Sequence, residues 1–307
     1  MLDSCEFETT YRQYKEAIEC YLFSELPTFE TEGQRQLGEA VRYSCEAGGK
    51  RIRPVLALAT CDLLDGDPGL IMPFAAAIEL IHTYSLIHDD MPCMDDDAFR
   101  RGQPTCHRVY GEAIALLAGD SALNLAFEVM LGNSVAYARK QPNITKNGIF
   151  SIIDAAYCIA HSSGLSGMAG GQAIDLSGRV SDAESLKNLH SLKTGKLFWA
   201  SVIAPAILCG CVGGEFAALQ RYSQNIGLAF QLKDDILDET GSFEKMGKET
   251  GGDAKQDKLT FAGLYGCVKA GALLSEIIAE AVESLAIFGS KAAFLTDIAY
   301  YVTKRES

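Results

Sequence analysis

The chain has 307 residues, of which 48% are hydrophobic and 22% charged, with a formal net charge of −13. That length and apolar fraction suffice for one large buried core, and a single domain over residues 1–307 is expected. The acidic balance excludes nucleic acid as a partner, because such binding rests on Lys and Arg neutralising phosphates, and it argues equally against a hold on anionic lipid.

The start, Met1-Leu2-Asp3-Ser4-Cys5-Glu6, has neither a basic nor an apolar leader segment, so no secretory signal is expected. Ten cysteines are scattered without a C-x-x-C pair, and Cys209 and Cys211 are too close in sequence for a zinc knuckle. Reduced thiols in a cytoplasmic protein are the expectation. Apolar residues recur at three- and four-residue spacing, with no sustained alternation, which predicts helix after helix. Gly48-Gly49-Lys50-Arg51-Ile52-Arg53-Pro54 sets three cations beside a flexible turn. It is not a P-loop, because the G-x-x-x-x-G-K-[ST] spacing is absent. A loop is predicted at Asp65-Gly66-Asp67-Pro68, and a helix over Ile71–Asp90 in which Phe74, Ile78, Ile81 and Ser85 trace one face.

The helix should stop near Asp90, because Pro92 disfavours helical backbone at Met91. Asp89 and Asp90 then sit at a helix C-terminus, where the macrodipole is negative and carboxylates are unfavourable without a cation. Asp95, Asp96 and Asp97 sharpen the conflict, and Arg100-Arg101-Gly102 follows. A solvated acidic loop would also tolerate this run. His82 lies two turns before Asp89 on the same face; a histidine there is either a satisfied core residue or part of a site.

Further along, Gln141-Pro142-Asn143 reads as a loop, and the N-x-T pattern at Asn143 as a coincidence given no secretory signal. Leu186–Ala200 and Tyr222–Asp238 read as helices. Leu197–Gly214 is uncharged over eighteen residues; interrupted by Pro205 and glycines, it is expected to be a buried core helix rather than a membrane segment. Gln231, Asp234 and Asp238 share a helix face, and like charges at i, i+4 cost stability unless something positive lies between them. A Gly-rich loop is predicted from Gly241 to Asp253. Lys193-Thr194-Gly195-Lys196, Lys248 and Lys258 add basic candidates. The architecture expected is all-α. Two carboxylate clusters with little His or Cys support suit Mg²⁺ shared with a polyphosphate, and suit zinc poorly. Lys and Arg beside them suit a second anion site.

These residues resemble the trans-isoprenyl diphosphate synthase family. The likeness runs through Gly48–Pro54, then Asp89-Asp90-x4-Asp95 with Arg100-Arg101-Gly102. It continues through Gly170-Gly171-Gln172-Ala173-Ile174-Asp175-Leu176, Lys193-Thr194-Gly195, and Gln231-x-x-Asp234-Asp235-x-x-Asp238. Order and spacing agree over roughly residues 40–265. Ala98-Phe99 and Cys106 depart from the common pattern without removing a ligand.

The resemblance implies a helical isoprenoid-synthase bundle around a central cavity, consisting of one polyprenyl synthetase domain and commonly forming a homodimer. It implies isopentenyl diphosphate and an allylic diphosphate as substrates and Mg²⁺ as cofactor. Asp89, Asp90 and Asp95 would hold metal on one side, and Asp234, with Asp235 and Asp238, on the other. Arg100, Lys193, Lys248 and Lys258 would contact the allylic diphosphate. Gly49, Lys50, Arg53, His82 and Arg101 would hold isopentenyl diphosphate, with Thr194 and Gln231 near the allylic cation. Tyr84 and Ser85, about one turn of ~5.4 Å deeper than Asp89, would set chain length. Tyr84 and the spacing Asp89-x5-Asp95 resemble the bacterial farnesyl diphosphate synthase pattern, so a farnesyl product is expected. Geranylgeranyl or geranyl diphosphate is the alternative. Other classes are a class I terpene cyclase, which should lack the Gly48–Pro54 site, an HD-type phosphohydrolase, which needs more histidines than the five present, and an inactive regulatory subunit, which should have lost carboxylates.

Overall fold

The computed structural model describes residues 2–141, 143–240 and 259–304. Lys248, Lys258 and the Gly241–Asp253 loop lie outside the described residues. The fold is all-α. The helices are α1 (Ser4–Glu25), α2 (Glu32–Glu46), α3 (Ile52–Leu63), α4 (Pro68–Asp89), α5 (Cys106–Tyr110), α6 (Glu112–Lys140), α7 (Lys146–Ser163), α8 (Met168–Leu176) and α9 (Ala183–His190). They continue with α10 (Lys196–Leu208), α11 (Gly213–Thr240), α12 (Phe261–Tyr265), α13 (Cys267–Ser284) and α14 (Ala293–Lys304).

Two interruptions break the pattern of plain α-helix. A π-helical turn, Ser191–Gly195, joins α9 to α10, and a 3-10 stretch, Leu285–Ala292, joins α13 to α14. The sequence reads Leu186–Ala200 as one helix; the π turn is the correction. A two-residue ribbon pairs Phe99–Arg100 (β1) with Gln103–Pro104 (β2). Its turn residues, Arg101 and Gly102, both have positive φ, +53° and +77°, as a tight hairpin whose twist matches its strands requires.

Local signals set the helix ends. Asp67 caps α4 by accepting from the Gly69 amide at 2.8 Å, with Pro68 as the first helical residue. The helix stops at Asp89, as Pro92 predicts. α4 is apolar nearly all round and runs through the middle, packed against α3, α6 and α10. Phe74, Ile78 and Ile81 are fully buried. α10 is likewise apolar and buried, ending beyond Pro205, so Leu197–Gly214 is core helix and turn.

Among the described residues two helices, α4 and α6, are long and apolar enough to cross a membrane by length and composition alone. For α4, 67% of the apolar window is buried inside the fold; for α6 only 39% is. The buried fraction identifies α4 as core, whereas α6 leaves Leu116, Leu117, Leu131 and Val135 exposed.

Candidate active site

One cavity of about 720 Å³ opens between the start of α3, the end of α4, the hairpin, α8, the π turn and α11. Asp89 and Asp234 both line it. Gly49, Lys50, Arg53, His82, Tyr84, Ser85, Arg100, Arg101, Lys193, Thr194 and Gln231 line it as well. The predicted residues therefore converge from five separate stretches of sequence. Asp90, Asp95 and Asp238 are not among the described residues that form its wall.

Adjacent aspartates take different tasks, because neighbouring side chains on a helix point about 100° apart. Asp89 faces the cavity. Asp90 is buried and accepts from Arg100 Nε at 2.5 Å. Burial pushes its carboxyl up to about 6, although Arg100 pulls the other way. Asp95 is half-buried; its amide donates to the Asp89 carbonyl at 2.9 Å, which folds the acidic loop back on the helix end. Burial also raises the Asp89 carboxyl, Asp95 adds to the rise, and Lys193 and Arg100 oppose it. On α11, Asp235 is buried and accepts from Gln231 Nε2 at 3.1 Å and from the Phe261 amide at 2.9 Å. It tethers the start of α12 to α11. Gln231 Oε1 in turn accepts from the Thr194 hydroxyl at 2.8 Å.

The basic wall rests on a strained loop. Gly48 and Gly49 have φ of +79° and +126°, and Arg51, a non-glycine, has +53°. Arg51 is held there by three acceptors: Glu79 Oε1 at 2.7 Å, Glu19 Oε1 at 3.1 Å and the Cys45 carbonyl at 2.5 Å. Tyr11 donates to the Lys50 carbonyl at 2.7 Å, and Arg101 donates to the Gly48 carbonyl. The Arg53 guanidinium lies over the Phe198 ring at 4.5 Å, a cation–π contact that fixes a buried cation. Burial first, then Arg53, Arg101 and Arg100, push His82 well below the usual histidine value. The shift favours the neutral imidazole, which keeps one ring N–H to donate to an anion.

The π turn sets Lys193 and Thr194 into the cavity. Lys193 Nζ donates to Asp175 at 2.6 Å. Burial opposes the ammonium charge, yet Asp175 and Asp89 raise its pKa above the ordinary lysine value. Sequence reasoning assigned no role to Glu79, Arg51, Asp175 or His88. The signal for Glu79 was available: a lone carboxylate within the apolar run Ala75–Ile81, sharing a helix face with His82, needs a buried partner. Asp175 and His88 carried no such signal.

Oxygen is the donor type that suits Mg²⁺ here, with Asp89 and Asp234 on the wall and Asp95 beside them. Among the described residues no three His, Cys, Asp or Glu side chains gather into a preformed metal site.

The sequence profile of the polyprenyl synthetase family matches residues 34–290. The chain is 43% identical over 272 residues to a geranylgeranyl diphosphate synthase of Cyanophora paradoxa, covering 88% of this chain and 87% of the relative. It is also 43% identical over 273 residues to a chloroplastic geranylgeranyl pyrophosphate synthase of Capsicum annuum, covering 88% and 71%. Among solved structures, an FPP/GFPP synthase from Zymomonas mobilis superposes with a TM-score of 0.83 at 36% identity, covering 97% of this chain and 99% of that one.

Proposed function

Since the chain belongs to the polyprenyl synthetase family, we propose that it joins isopentenyl diphosphate to an allylic diphosphate and releases geranylgeranyl diphosphate. The observation that carries the reaction is that Asp89 and Asp234 border one cavity whose remaining wall holds Lys50, Arg53, Arg101 and Lys193. Carboxylates facing cations across a shared space suit two anionic substrates, one held through metal and one held directly. A terpene cyclase, with one diphosphate to bind, has no use for the Gly48–Arg53 wall.

Asp89, Asp95 and Asp234 would hold Mg²⁺, which when bound supplies Lewis-acid stabilisation of the departing diphosphate. Lys193 and Arg100 place positive charge where the allylic C–O bond breaks. Lys50, Arg53, Arg101 and His82 hold isopentenyl diphosphate, whose double bond attacks the allylic carbon as the diphosphate departs; the proton then lost passes to that released diphosphate. The Thr194–Gln231 pair turns polar oxygens toward the allylic cation, and the apolar depth of the cavity keeps water from it.

The names of the curated relatives support the geranylgeranyl product. One observation favours a second reading, farnesyl diphosphate: Tyr84, a bulky ring one turn deeper than Asp89, lines the cavity where the tail would extend. A homodimer is supported by exposed apolar residues on α6 and on α7, among them Leu131, Val135, Phe150, Ile153 and Tyr157. The test is incubation with isopentenyl diphosphate, each allylic primer and Mg²⁺, with and without chelator, and chromatography of the dephosphorylated products. Geranylgeraniol supports the first reading and farnesol the second; no elongated product in the presence of metal refutes both. Under the farnesyl reading, Tyr84→Ala lengthens the product.

A further inference from the structure

We infer that Gly119, on α6 and remote in sequence from every predicted site residue, is a positioning residue for the wall of the prenyl-tail pocket, acting through His88. The inference rests on the chain-elongation reading and deepens it.

Gly119 is buried inside a long helix. Glycine there costs a helix about 1 kcal/mol relative to alanine, and helix geometry gives no reason for it. The reason lies across the interface with α4. A methyl group on Gly119 would overlap the His88 ring at Nε2 and Cδ2 and come within 2.9 Å of Cε1. The ring fills the space a side chain would take. Its Nε2 lies 3.0 Å from the Leu116 carbonyl. A carbonyl can only accept, so Nε2 carries the proton and the ring is anchored to α6.

From that seat the ring reaches the cavity. His88 and Tyr84 are one helical turn apart on α4, and their rings meet edge to face at 5.8 Å and 82°. Both line the cavity. Tyr84, the ring in the path of a growing tail, thus leans on His88, and His88 stands where it does because residue 119 has no side chain. Pocket width is set by three residues in series, of which only Tyr84 is legible as a tail contact.

Gly119→Ala should evict the His88 ring from α6 toward Tyr84 and the cavity, and so shorten the product. His88→Ala should remove the support behind Tyr84 and lengthen it. The double variant Gly119→Ala/His88→Ala restores space for the methyl group and should give the product of His88→Ala alone. The readout is the ratio of the longest product to the next shorter one, with circular dichroism and Tm recorded for each variant. A shift of about tenfold is expected, the scale on which one methylene in an apolar pocket discriminates. A merely structural role for Gly119 would lower turnover and Tm without moving that ratio or being reversed by His88→Ala. If Gly119→Ala does not fold, His88→Ala decides alone. Wild-type product ratios in His88→Ala, or in a folded Gly119→Ala, overturn the inference while leaving chain elongation standing. A wild-type protein that elongates nothing overturns the reading beneath it instead.

Discussion

Lys193 Nζ lies 2.6 Å from Asp175, a bond that joins the π turn to α8 at the edge of the cavity. Asp89 and Asp95 act on the same ammonium from the α4 side, so Asp175 opposes their pull and fixes where the charge stands. Asp175→Asn keeps an acceptor oxygen but loses the charge. It should lower kcat/KM for the allylic diphosphate about tenfold, since a charge-assisted hydrogen bond is worth roughly 1.5–3 kcal/mol and part of it survives. Steady-state kinetics with varied allylic primer check this. Unchanged kcat/KM would leave the pair a structural tie only.

The Arg51–Glu79 pair borders the same cavity and supports its basic wall. Both side chains are almost fully buried, at 1% and 3% exposure, and the pair holds a left-handed residue beside the lysine and arginine of the substrate wall. Stranding one partner of a buried pair costs about 3–5 kcal/mol; the loss here is smaller, because Arg51 keeps Glu19 and the Cys45 carbonyl. Glu79→Ala should therefore lower Tm by several degrees and raise KM for isopentenyl diphosphate more than it lowers kcat. Thermal denaturation and initial rates together read this out; a Tm within a degree of wild type would contradict it.

Asp89 should behave in the opposite way. Burial raises its carboxyl in the folded protein. A group whose folded pKa exceeds its unfolded one binds protons better when folded, so it costs stability once pH has risen above both values. At neutral pH, Asp89→Asn should fold with an equal or higher Tm and still lose about 10²–10³-fold in kcat, the scale reported for removal of one group that stabilises developing charge. Full turnover in Asp89→Asn, measured by product formation, would remove the proposed chemistry.

The parts of the site that came from sequence are those fixed by local rules. Pro92 stops α4 at Asp89, and the spacing of Gln231 and Asp234 puts both on the face of α11 that meets the cavity. Pairing across the fold is not local. Asp90 reads as a metal ligand in sequence, and its bond to Arg100 is not legible there; Asp235 reads as support for Asp234, and its bond to the Phe261 amide is equally hidden. The π turn is invisible because its apolar spacing continues that of a helix. The turn lies where backbones approach closely: a methyl group on Gly171 would lie 2.6 Å from the Lys193 Cα, and one on Gly227 2.8 Å from the Gly195 Cα. Glycines on α8 and α11 let two backbones close on the turn, a relationship among residues far apart in the chain.

His190, the last residue of α9, gives the pH prediction. It is buried, at 6% exposure, with its ring 5.4 Å from Phe261 and no partner for Nδ1 among the described residues. Burial lowers its pKa to about 4; Asp175 opposes the fall and Lys193 adds to it. Below the usual histidine value of ~6.5 the unfolded chain binds a proton that the folded ring refuses, so stability falls as pH drops from ~6.5 toward 4. The loss from this residue alone is about 2 kcal/mol at pH 5. His190→Phe fills the same space without a titrating group, and its Tm advantage over wild type should be small at pH 7.5 and grow steadily below pH 6.5. Asp90, with its raised carboxyl, titrates in the same range with the opposite sign, so neither protein's own profile isolates the effect. The difference between the two does, because Asp90 is common to both. A Tm difference independent of pH between 7.5 and 5 would mean that the ring accepts its proton inside the fold as readily as outside it.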